Sequence, residues 1–382
     1  VPQLFALTVF LSAALVFTVE PMIGKILLPL AGGTPAVWTT CLLFFQMALL
    51  AGYFYAHIIG DRLPPRVQAI VHVIVIGIPL ALLPFRVDPT WFVGTTMPVA
   101  SLLVMLAKTV GLSFFALATT APLMQRWFVT AAPNSNPYPL YAASNAGSLF
   151  GLAAYPFLIE PGLDLTDQRL YWAIGYGLFV ALVAVCGGTM WRSAPNKVVT
   201  ASSIKPANNP WIRWLLLSFA PSSLLMSVTT AITTDIAPVP LLWVVPLALY
   251  LITFIIAFSG RQYVPHKFVV LLAPIASLAL FFVIFNKSER PWSVVLSIHL
   301  VVFFIVSLAC HGELARLKPP AERLTGYYLI ISAGGMLGGL LNAVIAPIVF
   351  RKIGLAEYPL VLSLAVALMP DRPRAAALKG IL

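Results

Sequence analysis

The chain has 382 residues, 60% of them hydrophobic and 9% charged, with a formal net charge of +11. An ordinary soluble domain carries roughly 25% charged residues, so a fully water-exposed surface is excluded for a chain of this length. The apolar residues run in long blocks with the charges in the gaps between them, which is the pattern of a polytopic membrane protein.

Crossing a hydrocarbon core of ~30 Å takes about 20 apolar residues as helix. Only helices and closed barrels satisfy their backbone hydrogen bonds in lipid. The blocks are too long and continuous for alternating barrel strands, so the fold class is all-α. In chain order they predict about twelve transmembrane helices, over 4–30, 36–59, 67–85, 97–121, 138–159, 168–190, 212–236, 240–259, 267–286, 292–310, 325–349 and 353–370. Glu357 and Pro359 interrupt the start of the last.

Lys and Arg set the expected orientation, because they accumulate in cytoplasmic loops. With the N-terminus inside, the cytoplasmic gaps hold Arg62, Arg66, Arg126, Arg192, Lys197, Lys205, Arg213, Arg261, Lys267, Arg316, Lys318 and Arg323, and the tail adds Arg372, Arg374 and Lys379. The opposite side holds Arg86, Arg169, Lys287, Arg290, Arg351 and Lys352. Both termini are therefore expected in the cytoplasm, and the positive charge follows from topology without a nucleic-acid partner. Cys41, Cys186 and Cys310 lie inside spans, too far apart for a metal motif, and read as buried apolar thiols. No cleavable signal peptide is recognisable, and a start at Val1 leads us to expect further native sequence before it.

The longest polar gap, Arg192 to Arg213, divides the chain into a six-helix half over 1–191, a cytoplasmic linker over 192–213 and a second half over 214–382. The halves echo each other. Tyr141-Ala-Ala-Ser-Asn-Ala-Gly147-Ser-Leu-Phe-Gly151 matches Tyr328-Leu-Ile-Ile-Ser-Ala-Gly334-Gly-Met-Leu-Gly338, and Pro35-Ala-Val-Trp38 matches Pro240-Leu-Leu-Trp243. Parallel duplication of this kind places a solute site near the midplane between the repeats in many transporters. Gly147 with Gly151, and Gly334 with Gly338, each strip one helix face of side chains and point to close helix packing, on a face that a rocking motion can also use for sliding.

Six plus six spans around a basic central loop resemble the major facilitator superfamily. Gly60-Asp61-Arg62-Leu-Pro-Pro-Arg66 is similar to that superfamily's cytoplasmic gating motif: Asp61, Arg62 and Arg66 fit it, while Pro64 stands where a glycine is expected. A closer likeness covers nearly the whole chain. Thr18-Val-Glu-Pro-Met-Ile-Gly-Lys-Ile-Leu-Leu-Pro29 with Gly32-Gly-Thr-Pro-Ala-Val-Trp38, and His311-Gly-Glu-Leu-Ala-Arg-Leu-Lys-Pro319, resemble the membrane region of bacterial fused facilitator/spermidine-synthase-like proteins. That likeness implies a bacterial inner-membrane location. It also implies an aminopropyltransferase-like domain that can follow the membrane part. No residues here match such a domain, so the chain either stops before it or comes from a member without one.

In the facilitator arrangement the first helix of each three-helix unit lines the cavity, here spans one, four, seven and ten. Ionisable groups inside a membrane normally face an interior or water, and Glu20, Lys25, Lys108, Asp235, His299, His311 and Glu313 fall on those spans or their ends. Pro21 is expected to kink the first helix beside Glu20. Glu20 can bind solute or proton, or pair with Lys108. A pair with Lys25 is less favourable, because the two lie about 140° apart around a helix. Asp235, below Thr229, Thr230, Thr233 and Thr234, reads as an outer-gate or cation contact, although such threonines often bond their own backbone. His299 reads as a core histidine or proton relay. His311 and Glu313 read as an inner gate with Arg126 or Arg316, or as solvated caps. Gln46 and Asn145 read as interhelical hydrogen-bonders, and His57 and His72 as structural partners across the hairpin of spans two and three.

No phosphate loop, zinc-protease pair, dinucleotide fingerprint or haem motif occurs, so no cofactor or metal is expected. The expected function is secondary transport of a small cationic or zwitterionic solute through a central site at Glu20, Lys25, Lys108, Thr230, Asp235 and His299. Asp61, Arg62, Arg126, His311 and Glu313 would gate it, with the lipid bilayer as the constant partner, and a polyamine-like cargo follows only from the fused-family likeness. A membrane scaffold for a soluble enzyme domain or for other membrane subunits is the rival expectation, and an intramembrane enzyme using Glu20, His299 or His311 is the third.

Overall fold

The computed structural model describes residues 1–32, 34–88, 99–132, 138–193, 210–235, 244–259, 263–285, 291–319, 324–351 and 353–370. Among these, twelve apolar helices follow one another in the order that hydropathy predicts. They are α1 (Pro2–Ala31), α2 (Ala36–Arg62), α3 (Pro65–Leu82), α4 (Val99–Ala131), α5 (Ala142–Gly162), α6 (Leu165–Ser193), α7 (Trp211–Thr234), α8 (Val244–Phe258), α9 (His266–Phe285), α10 (Trp292–Arg316), α11 (Thr325–Val349) and α12 (Glu357–Ala367). Ten are long and apolar enough to cross a bilayer, and α8 and α12 are shorter. Most of the central linker, 194–209, lies outside the described residues, as do the basic positions Lys197, Lys205, Arg261, Lys287, Arg290, Arg323, Lys352, Arg372, Arg374 and Lys379.

Two apolar cores form. One is built from α1–α6 around Phe5, Phe114, Trp127 and Tyr176. The other is built from α7–α12 around Met226, Phe303, Cys310 and Tyr327, with Trp38 and Leu42 of α2 reaching into it. Each half closes on the same device. A Cβ on Gly147 or Gly151 of α5 would collide with the carbonyl of Phe10 or Ala14 on α1, so these two backbones touch. Gly334 and Gly338 of α11 meet α7 in the same way, at the Leu215 and Phe219 carbonyls. Close approach of backbones replaces the hydrophobic drive that lipid cannot supply between helices.

Helix α1 is unbroken through Pro21 and Pro29. Each of α4, α5 and α11 carries one π-helical turn, at Ala107–Gly111, Tyr155–Ile159 and Leu341–Ile345. The turns in α5 and α11 follow the second packing glycine of their own helix. The one in α11 turns Asn342 inward, where its amide donates to Ser223 Oγ at 2.6 Å and its oxygen accepts from Ser227 Oγ at 2.8 Å on α7. All three cysteines are buried and unbridged.

Candidate functional site

A cavity of about 260 Å³ lies at the seam between the halves. It is lined along one stripe of each contributing helix: Val9, Ser12, Val16 and Glu20 on α1, Phe45, Gln46, Leu49 and Tyr53 on α2, and Phe114, Leu117, Ala121 and Gln125 on α4. Apart from the adjacent Phe45 and Gln46, the spacings are three and four, the period of a helix face. Ser144, Asn145 and Ser148 of α5 continue the wall in the first half. Ser222 of α7, Tyr250 and Phe254 of α8, and Tyr328, Ile331 and Ser332 of α11 close it from the second. On α4 the lining reaches Gln125, next to Arg126, and on α11 it begins one turn after Thr325. The cavity thus sits toward the arginine-rich end, with Glu20 at its deep floor. No residue of α10 lines it among the described residues, so the helix set implied by the facilitator likeness is corrected: α2, α5, α8 and α11 contribute where α10 does not.

Glu20 is 7% exposed, and the residues around it, Val19 to Gly24, are all buried. Among the described residues no ion pair or hydrogen bond holds its carboxyl, and no Lys, Arg or His lines the cavity with it. Facing it across the seam is a three-helix junction. Gln46 Nε2 of α2 donates to Ser222 Oγ of α7 at 2.8 Å, and Ser222 Oγ donates to the Gly335 carbonyl of α11 at 2.8 Å. Gln46 Oε1 rests on Gly339, where any side chain would collide with it, and neither Gln46 Oε1 nor Ser332 Oγ has a hydrogen-bond partner among the described residues. An unsatisfied buried acceptor costs ~1–3 kcal/mol, so the junction holds polar capacity that a different arrangement of the halves, or a bound molecule, can use.

Two charged clusters stand at the arginine-rich end, one in each half. In the first half Arg126 donates to Asp61, and His57 Nδ1 sits 3.5 Å from the same carboxylate and 3.1 Å from Thr325 Oγ1 of α11. Tyr53 and Tyr328 pack edge to face beside this link, with centroids 6.3 Å apart. In the second half Glu313, 5% exposed in its side chain, accepts from Arg213 Nη2 at 3.0 Å and Arg316 Nη1 at 3.2 Å, with His266 Nε2 at 3.3 Å. The glycine before each acid makes room for a basic partner: Gly60 seats Arg126 and Gly312 seats His266. Arg62 is exposed, and Arg66 lies over the Trp191 ring at 5.8 Å.

The other predicted site residues stand elsewhere. Lys25 is bound to Glu160 of α5 at 2.6 Å and is no partner of Glu20. Lys108 is exposed on the π-helical turn of α4. Thr230 is half-buried outside the cavity lining, while Thr229 and Thr233 spend their hydroxyls on the carbonyls of Leu225 and Thr229. Asp235 directly follows α7, and its side chain lies outside the described residues. His299 is buried between α10 and α12, with Nδ1 3.1 Å from the Tyr358 hydroxyl. His311 is separate from the Glu313 cluster: it is fully buried behind Tyr250 and Phe254, with Nδ1 3.0 Å from Thr253 Oγ1. Arg126 serves Asp61 and not Glu313, and His72 packs against Tyr55 and Trp127 away from His57. Gln125, Tyr250 and Ser332 also line the cavity, and in the sequence each is only one polar group in a mostly apolar helix.

No protein-family model matches the chain, and no curated protein matches it in sequence. Among solved structures it is similar to the nucleoside transporter NupG, with a TM-score of 0.51, 13% identity and 96% of each chain covered. It is also similar to the E. coli fucose:proton symporter FucP, with a TM-score of 0.55, 15% identity and 96% of each chain covered. At such identities the likeness speaks for the fold: this is a multi-pass, all-α membrane protein with a major-facilitator-like architecture.

Proposed function

We propose that the protein is a secondary transporter that carries a small cationic or zwitterionic organic solute across a bacterial inner membrane by alternating access. The arginine-rich end and both termini would face the cytoplasm. The observation that carries this reading is the cavity at the seam, walled by both halves and holding the Glu20 carboxyl at its floor. A site shared by two bodies changes its exposure when they rock, which is the requirement for alternating access. Glu20 serves as the group that takes either a proton or the solute's cation. Asp61–Arg126 and the His57–Thr325 link serve as the inner gate, because the latter ties α2 to α11 across the seam. The polyamine-like cargo implied by the fused-family likeness is one member of this solute class.

The test does not need the solute. The three native cysteines are replaced, one cysteine is placed at Ser332 or Ser148, and membrane-impermeant thiol reagents are applied from each side in turn. Labelling from both sides is the expected result. Labelling confined to one side under all conditions would mean a fixed body, and would favour a scaffold for other subunits or for a soluble enzyme domain.

A further inference from the structure

The charge inventory of the cavity narrows the solute further. We infer that the site is built for an organic monocation, one ammonium on an aromatic or aliphatic body, exchanged one for one against a proton at Glu20. This rests on the transporter reading for movement, while binding stands on the cavity alone.

Glu20 is the single acid in the lining, and no Lys, Arg or His accompanies it among the described residues. One ammonium at Glu20 makes one neutral pair. A second ammonium, as in a polyamine, would find aromatic faces, amides and hydroxyls but no second acid among the described residues, and a zwitterion's carboxylate would find no cation. Each would be a desolvated charge without a partner, which costs more than neutral dipoles return. Lys25, the nearest basic residue along α1, is committed to Glu160.

The walls fit the rest of such a molecule. Phe17, Tyr53, Tyr250, Phe254 and Tyr328 bring aromatic rings to the lining, and aromatic faces attract desolvated cations and apolar bodies alike. Asn145, Ser148 and Ser332 supply neutral polar groups, Ser332 Oγ without a partner of its own among the described residues. The 260 Å³ cavity leaves room for a small amine.

The exchange balances without a co-reactant. The protonated carboxyl releases its proton to water on the open side as the ammonium arrives, and the carboxylate pairs with it. On the other side a proton displaces the ammonium. One positive charge replaces another, so the cycle is electroneutral.

The experiment uses the purified full chain and three probes: phenethylamine as monocation, putrescine as dication and phenylalanine as zwitterion. Binding is measured by titration calorimetry and thermal shift at several pH values, all below the ionisation of an alkyl amine at roughly 10. Phenethylamine is expected to bind at least tenfold tighter than the other two, and to weaken as pH falls because protons compete for Glu20. In Glu20→Gln its binding is expected to become weak and independent of pH. The comparison of probes on the unaltered chain stands even if that variant fails to fold. Equal or tighter binding of putrescine or phenylalanine, a pH dependence retained in folded Glu20→Gln, or no phenethylamine binding by the folded wild type overturns the inference. Two-sided thiol labelling at Ser332 would still uphold transport in that event.

Discussion

Glu20 and Glu313 are both acids deep in a helical bundle, and they differ in what surrounds them. Glu313 is saturated by Arg213, Arg316 and His266, so its work is structural. Removing it leaves three basic groups facing each other around a 5%-exposed position. Glu313→Ala is expected to cost ~1–3 kcal/mol, toward the lower end because Arg316 is 61% exposed and partly screened by water. Arg316→Ala is expected to cost less than ~1 kcal/mol. Thermal unfolding in detergent measures both, and equal losses would contradict the assignment. Glu20, without a partner among the described residues, is expected to behave in the opposite way. Glu20→Gln should fold with little change in melting temperature while losing coupled uptake, and wild-type uptake in the variant would remove Glu20 from the mechanism. The sequence singles out Glu20 because a lone acid in an apolar block is costly. It groups Lys25 and Lys108 with Glu20 wrongly, because position along the chain carries no information about which helix lies opposite. Lys25 finds Glu160, 135 residues away.

At the scale of helices, the glycine pairs and the π-helical turns act together. The glycines bring α5 onto α1 and α11 onto α7 in backbone contact, and the turn that follows in α11 aims Asn342 at Ser223 and Ser227. Gly147→Leu and Gly338→Leu are expected to destabilise their halves severely, at or above the ~1–3 kcal/mol typical of overpacking, because the obstacle is backbone and cannot swing aside. Gly188→Leu on α6, with open space around it, is the control expected to leave the melting temperature nearly unchanged. Asn342→Ala is expected to cost ~1–3 kcal/mol by stranding two buried serines, and circular-dichroism melts would show it. The glycine spacing is plain in the sequence, since nothing else leaves an empty face. The π-helical turns are not, because one inserted residue in a uniformly apolar helix leaves the hydrophobic pattern intact.

For the whole molecule, the decisive surface is the seam. Gln46, Ser222 and Gly335 tie three helices across it, and Gly339 leaves space for the Gln46 carbonyl. Gly339→Ala places a methyl in that space, against the Gln46 amide and 3.1 Å from the flexible end of the Met226 side chain. It is expected to disfavour this arrangement of the halves, seen as a shift in the side from which a Ser332→Cys reporter is labelled, with the melting temperature held within a few degrees. Unchanged labelling would mean that the junction does not govern the seam.

The chain alone settles that the protein crosses the membrane many times as helices and roughly where each crossing lies, and it shows the glycine pairs through which α5 and α11 pack. All of these depend on hydropathy and small-residue spacing, which are local along the chain. Membership of the cavity is decided only by folding. Lipid and protein interior are equally apolar, so a helix shows little difference between its lipid face and its cavity face, and α10 with His299 and His311 reads as a cavity helix until its neighbours are known. The stripe that faces the seam is chosen by which backbones meet across the two halves, and those meetings join residues more than a hundred positions apart.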